Sequence, residues 1–496
     1  MQTLVCSSHW ITAVLVFLVV GLLTLRIIRS PKNLPPLVSP WFTLRFLASA
    51  ILGGGVTAAI IKHKDDLSAE ISRCGLGFRN HFIFLNTHEA VKEVFSKTGE
   101  DIAGRPKFMK LVSNGLGVLG SEGRIWREHR RFSLNTLRDF GMGKIAMEDK
   151  VLGEALVAVK ELARLDGKSF DVWRTLGIVI SNVISSVVFG RTFEHDDPTC
   201  DLFLNTFNQN AQGSWRRSVL ISFPFLRHVP RDPLGFYEFR NCRDKVDELI
   251  VGSFEEHRKD FDENNVRDVI DAYLVEMTRQ QEKDTDTTFT VPQMTRLVFD
   301  LFSAGSETTA TTLRWALMMM ILHPQIQSRV QEEIDDVIGG EGLVKMAHRQ
   351  RMLYTECVLM EVQRFASLVV MVPHRAMKDV NILGYTIPED AMVVANLWRL
   401  HRDEKIWPNP DKFDPNNFLD ENNEIIRREH LVPFAVGKRQ CLGEGMAKME
   451  LFIFFVTFLQ RFTFSVPEGH TPPSSDEYIV GIVRGPKRFL MNAVKR

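Results

Sequence analysis

Residues 434–445 read FAVGKRQCLGEG, with one cysteine, Cys441, among three glycines and with Lys438 and Arg439 just ahead of it. The stretch holds no second cysteine and no histidine. A cysteine acts as a ligand or nucleophile only as its thiolate. Glycines let backbone approach a large flat object and take turn conformations closed to other residues. The run after Gly443, EGMAKMELFIFFVTFLQRF, has a helical pattern, so Cys441 is expected at a helix N-terminus. There the helix dipole and free amide N–H groups favour a thiolate, and Arg439 adds a cation two residues away. The setting suits one anionic sulfur facing a bulky, partly anionic cofactor. A catalytic thiol would need a nearby base, which the stretch does not supply. A buried structural cysteine is the alternative, and spacing alone leaves the two readings evenly matched.

Working outward, the other cysteines are Cys6, Cys74, Cys200, Cys242 and Cys357, none in C-x-x-C spacing. That argues against a zinc site or an iron–sulfur cluster. Their scatter argues against a disulfide framework and for a reducing compartment. The 496 residues carry 61 basic and 61 acidic side chains, so no basic excess points to nucleic acid. From Thr3 to Leu25 there is no Asp, Glu, Lys or Arg. That is long enough to cross a bilayer as a helix. Arg26, Arg29 and Lys32 follow it and no basic residue precedes it, which places the remainder in the cytosol. A cleaved signal peptide fits less well, since a basic n-region and an A-x-A-like site are missing. The expected organisation is an anchor over 1–28, a proline-rich spacer over 29–40 and one catalytic domain over 41–496.

Helical patterns dominate that domain. GEALVAVKELARL and VDELIVGSFEEHRK are amphipathic at the helical period. A run from Met294 to a stop at His323-Pro324 is apolar nearly all round. At about 29 residues it would be roughly 43 Å long and should pass through the middle of the core. Strand-like pieces are short: HFIFL, VNILGYTIP and AMVVANL. The fold class expected is mainly α with a small β subdomain. The apolar stretch from Phe46 to Ile61, broken by three glycines, is a weak candidate for a second membrane helix.

F-x-x-G-x-R-x-C-x-G, formed by Phe434, Gly437, Arg439, Cys441 and Gly443, resembles the haem-binding signature of the cytochrome P450 superfamily. Three more motifs resemble that family and stand in its order. They are WREHR (Trp126, Arg130), AGSETT (Ala304 to Thr309) and EVQR (Glu361, Arg364). The wording GRP, LRDFGMG, LMEVQRF and PHR is most similar to the microsomal drug- and steroid-metabolising branch. The resemblance implies the cytochrome P450 fold, with haem between the long central helix and the helix after the cysteine loop. It implies haem iron held by the Cys441 thiolate, which pushes electron density onto iron and favours O–O cleavage. The haem propionates then fall to Arg105, Trp126, Arg130, His374 and Arg439, whose residue types supply cations and N–H donors. Taken singly, Arg105 and His374 would read as ordinary bases.

In AGSETT, Ala304 is small enough for haem and substrate to approach the helix, and Thr308 lies on the same face four residues later. A threonine there can bond the i−4 carbonyl and open a local bulge. Glu307 is the candidate proton source beside it. Glu361 and Arg364 face each other at i, i+3, and in the family a third cation often joins them. Here that position, in FDPNNF, is Asn417. Before Phe82 the chain departs from the family. The hinge and the residues leading into the first strand pair are unlike it over 37–77, as if an aberrant exon or sequence error lay there, which puts that strand pair in question.

The resemblance thus implies an endoplasmic-reticulum monooxygenase facing the cytosol. It would insert one atom of O2 into a small lipophilic substrate, with electrons from NADPH through a diflavin reductase and a cytochrome b-type donor as a further candidate partner. Lys438, Arg130 and Arg131 on the cysteine side would attract an acidic partner. SLVVMV, the helix near Ala304 and YIVGIV are expected to line an apolar substrate pocket. The rival readings are a haem–thiolate isomerase or dehydratase that needs no reductase, and a non-catalytic haem or ligand carrier. The Glu307-Thr308 pair argues against both.

Overall fold

The computed structural model describes residues 33–52, 55–75, 81–142, 144–194, 197–211, 220, 224–283 and 286–496. The expected anchor over 1–28 lies outside them. Among the described residues, no helix is long and apolar enough to cross a membrane.

The architecture is mainly helical, as expected. A central helix, Val291–Leu322, is the axis of the largest hydrophobic core, and 24 of its 32 residues are buried. It begins three residues before the expected Met294, because Thr290 caps it by accepting from the Gln293 N–H. Pro292 in its first turn needs no N–H partner there. At the other end His323-Pro324 breaks the axis without ending helicity, since a second helix runs over Pro324–Val337. Around the central helix lie Gly123–Asp139, Ile145–Arg164, Trp173–Val188, Leu353–Ala366 and the cysteine helix, Glu444–Arg461. The cysteine helix is so apolar that 13 of its residues are buried.

The β subdomain is a four-stranded sheet of β1 (Ile71–Cys74), β2 (Phe82–Leu85), β3 (Val372–Arg375) and β6 (Met392–Ala395), in the order β1-β2-β6-β3. β1 pairs antiparallel with β2 (Ile71 opposite Leu85), β2 parallel with β6, and β3 antiparallel with β6. The VNILGYTIP segment forms a hairpin of β4 (Val380–Ile382) and β5 (Tyr385–Ile387).

Two open points over residues 37–77 are answered here. The first strand pair forms despite the departure from the family. The Phe46–Ile61 stretch is no second membrane span but parts of two short helices, Pro40–Leu52 and Val56–Lys62. Phe42 and Phe46 have no exposed surface and pack with Phe84 and Val394 of the sheet. The Phe46 ring meets Phe84 edge-on at 5.5 Å. The apolar run serves a protein core.

Candidate functional site: the cysteine loop and its cationic cradle

The cysteine loop is held by its own backbone. The Cys441 N–H donates to the Phe434 carbonyl and the Gln440 N–H to the Gly437 carbonyl, both at 3.0 Å. Gly437 has φ +81°, and a Cβ there would sit 2.3 Å from the Phe95 carbonyl oxygen, so no other residue fits. Gly443 is different: its φ of −96° is ordinary, and it caps the cysteine helix. Phe434 is half-buried under the Lys448 ammonium, 5.4 Å from its ring centre. Cys441 stands three residues before the helix, as expected, but the thiolate argument is corrected in sign. Burial pushes the thiol up, outweighing the Gly443 N–H and the Arg130 charge that pull it down. Desolvation of the sulfur thus favours the thiol, and a bound metal cation would favour the thiolate.

The central helix is buried along most of its length, yet Ala304 is exposed and Ser303, Gly305 and Thr308 are half-buried. An open stripe in the middle of a core helix lines an internal space. Thr308 Oγ1 donates to the Ala304 carbonyl at 2.8 Å, the i−4 bond expected from the sequence. Glu307 does not join it. Its carboxylate accepts from Thr311 (2.7 Å) and pairs with the fully buried Arg314 at 2.8 Å. Arg314 in turn lies over the Trp173 ring at 3.9 Å.

Thr309 points elsewhere again, donating at 2.9 Å to Oε2 of Glu450 on the cysteine helix. Burial pushes the Glu450 carboxyl up to about 8. Sequence reasoning passed over this bridge. Its signal was a lone acid inside the apolar run KMELFIFF.

The five residues assigned to propionates do converge. Arg439 gives its Nε, Nη1 and Nη2 to the carbonyls of Ala103 (3.0 Å), Val118 (3.2 Å) and Ser121 (2.7 Å). Its guanidinium lies 4.0 Å from the Trp126 ring centre. Arg105 Nε donates to the Leu119 carbonyl at 2.8 Å. His374, on β3, stacks on Phe95 at 4.0 Å. Arg130 donates to the Gln440 carbonyl at 2.7 Å, within the cysteine loop itself.

These cations disfavour one another. Desolvation and then the Arg105 charge push Arg439 down to about 8. Desolvation lowers Arg105 to about 10, with Arg130 adding to it. Burial, then Arg105 and Arg439, hold His374 well below the usual imidazole range. The indole N–H of Trp126 and Nε2 of His374 are buried without a hydrogen-bond partner among the described residues. Buried donors and like charges of this kind are costly unless an anion meets them. A flat group with two carboxylates and a thiolate-seeking metal fits this cradle, and haem is such a group.

The frame of the cradle was not legible. Asp300 of the central helix accepts from the Leu119 N–H at 2.9 Å and fixes the turn Gly117–Gly120. A Cβ on Gly117 would lie 2.2 Å from Asp300 Oδ2. That turn supplies carbonyls to both Arg105 and Arg439. Glu122, bound by Arg375 at 2.9 Å, stands beside the cradle, and its charge partly offsets the repulsion by favouring the Arg105 and Arg439 cations.

The E-x-x-R pair is complete. Arg364 Nε and Nη2 each meet Glu361 at 2.7 Å, both residues being fully buried. Asn417 donates to both Glu361 oxygens, at 3.3 and 3.4 Å, so the amide replaces a third cation. The two residues just past YIVGIV touch SLVVMV and the central helix. The Arg484 N–H donates to the Leu368 carbonyl at 2.8 Å, and a Cβ on Gly485 would lie 3.3 Å from Thr311.

Comparison with known proteins follows this geometry. The cytochrome P450 family model matches residues 64–493. Cytochrome P450 2C16 of Oryctolagus cuniculus is 40% identical over 386 residues, 77% of this chain and 78% of that protein. Cytochrome P450 2D15 of Canis lupus familiaris is 39% identical over 419 residues, 82% and 83% of the two chains. Cytochrome P450 2C8 of Homo sapiens is 39% identical over 394 residues, 77% and 79%. With its cysteine loop, open central-helix stripe and cationic cradle in place, the chain belongs to the cytochrome P450 family.

Proposed function

We propose that this haem–thiolate monooxygenase oxidises a small lipophilic substrate at the endoplasmic-reticulum membrane, with electrons from NADPH passed by a diflavin reductase. A cytochrome b-type protein is the candidate second donor. The observation that carries the reading is the Thr308–Ala304 bond on the open stripe of the central helix. It leaves a hydroxyl where a proton must be managed and a surface too small-sided to block a substrate.

Bound haem would supply the oxygen chemistry, which the thiolate tunes. The chain's part is to bind, orient and shield. Cys441 would hold the iron, and Arg105, Trp126, Arg130, His374 and Arg439 would meet the carboxylates, with Arg439 fixed from behind by three carbonyls. Thr308 would order a water and pass its proton toward the reaction site. Glu307 could add protons only on leaving Arg314, so Thr308 is the primary group. Leu368, Val369 and Ile482 present apolar surface that suits a lipophilic substrate. On the cysteine side Lys438 and Arg131 are exposed, and Arg130 is half-buried, so the first two are the better candidates to meet an acidic partner.

The test is reconstitution of the purified haem protein with NADPH and a diflavin reductase, assayed against a panel of lipophilic compounds. Oxygenated product that requires both NADPH and reductase is the expected result. Turnover that needs neither would transfer the chain to the isomerase or dehydratase class.

A further inference from the structure

We propose that His88, Glu89 and His430 form a transition-metal site, of the kind that takes Zn2+, on the surface beside the cysteine loop. The donor atoms of the three side chains all lie within 4.8 Å of one another. The two imidazole rings are 4.9 Å apart, centre to centre, and Glu89 Oε1 is 3.8 Å from His430 Nε2. Two imidazoles and one carboxylate are a zinc donor set that leaves a coordination position open to water.

Neither ring has a hydrogen bond among the described residues, so their lone pairs are unclaimed. His88 is buried and fixed at the start of the helix His88–Lys92, whose cap is Thr87. Glu89 and His430 are the movable partners, with 71% and 30% of their side-chain surface exposed. Drawing three donors to about 2.0–2.2 Å from one ion needs separations of roughly 3.3–3.6 Å, a contraction that rotation of these two side chains supplies. The neighbouring cation does not compete for Glu89, because Lys92 is paired with Glu429 at 3.0 Å.

The site joins segments that are remote in sequence. His88 and Glu89 lead through Glu93–Lys97 to Phe95, whose carbonyl backs Gly437 and whose ring stacks on His374. His430 opens the segment that enters the cysteine loop. An ion held there clamps the wall of the cradle to that loop.

The test uses the full chain with haem bound, stripped of adventitious metal and titrated with ZnCl2 against a competing fluorescent chelator. Thermal unfolding is followed in parallel. One zinc per chain is expected, with a higher unfolding midpoint when zinc is present. His430→Gln, an exposed change, should weaken binding at least tenfold and abolish the thermal shift, while the haem spectrum stays unaltered. Glu89→Gln should weaken binding severalfold. If His430→Gln binds zinc as the parent does, or if binding disappears on blocking thiols such as Cys242 instead, the site is not there. Absence of zinc binding in the parent chain also overturns it, and none of these results bears on the monooxygenase reading.

Discussion

Replacing Cys441 with Ala removes the thiol and keeps the backbone N–H that donates to the Phe434 carbonyl. The thiolate-type spectrum of the ferrous carbon monoxide complex should vanish, and its persistence would move the ligand to another cysteine. Thr308→Val nearly keeps the shape but deletes the donor to Ala304. Haem content and substrate binding should survive, NADPH consumption should continue, and product per NADPH should fall as hydrogen peroxide rises. Loss of a positioned proton donor costs on the order of 10²–10⁴-fold in the assisted step, with leakage through bulk water reducing what is observed. Measuring NADPH, product and peroxide together distinguishes this from simple loss of packing. Glu450 gives a third test at this scale. Its folded value of about 8 stands above the ordinary 4.5, so between these values the folded chain holds a proton that the unfolded chain has released. Its contribution to stability is therefore complete below about pH 4.5 and is lost as pH rises toward 8. Glu450→Gln keeps a neutral partner for Thr309 and should flatten the decline in unfolding midpoint across that window. Buried Asp300, pushed up from 3.8 to about 6, adds a decline of the same sign over that narrower window.

At the scale of elements, the cysteine loop depends on one close approach. Gly437→Ala would combine a left-handed φ with a Cβ driven into the Phe95 carbonyl. Strain at such a position costs about 1–3 kcal/mol, and the visible result should be lower haem retention at unchanged expression, read from the haem-to-protein ratio. Gly443→Ala meets neither obstacle within the chain, so a comparable loss there would point to contact with haem itself. This asymmetry shows what the sequence could convey. The motif marks both glycines alike, and only the path of Phe95 past the loop separates them. The central helix was legible because its apolar residues run all round, but its start was not, since Thr290 caps it three residues ahead of Met294. Thr308 was legible from i−4 geometry alone. The pairing of Glu307 with Arg314, seven residues on, was not legible, because adjacency in a helix sends the Glu307 and Thr308 side chains about 100° apart. The carbonyls that converge on Arg439 come from two separate segments, and no periodicity links Ala103, Val118 and Ser121 to it.

At the scale of the whole molecule, the described helices and sheet pack around cores of their own. Phe42 and Phe46 are consumed by the sheet-side core, while Trp41 is 77% exposed and Leu44 48% exposed on the same helix. Deleting residues 1–28 should therefore release much of the protein from membranes with its haem intact. Residual attachment should be of the peripheral kind, stripped by alkaline carbonate. If the shortened chain resists carbonate as firmly as the full one, the membrane is held elsewhere. Ahead of the stretch 64–493 that the family model matches, burial of a few aromatic rings suffices to seat those two short helices beside β1 and β2, which pair in register.

The crowding of Arg105, Arg130, His374 and Arg439 has a consequence for how the protein is made. Nascent chains in a cell starved of iron or porphyrin would carry this repulsion with nothing to relieve it. They should be the ones recognised by quality control. Cellular abundance of the protein would then follow porphyrin supply at constant messenger level, a dependence that pulse-chase labelling with an inhibitor of porphyrin synthesis measures as a shortened half-life.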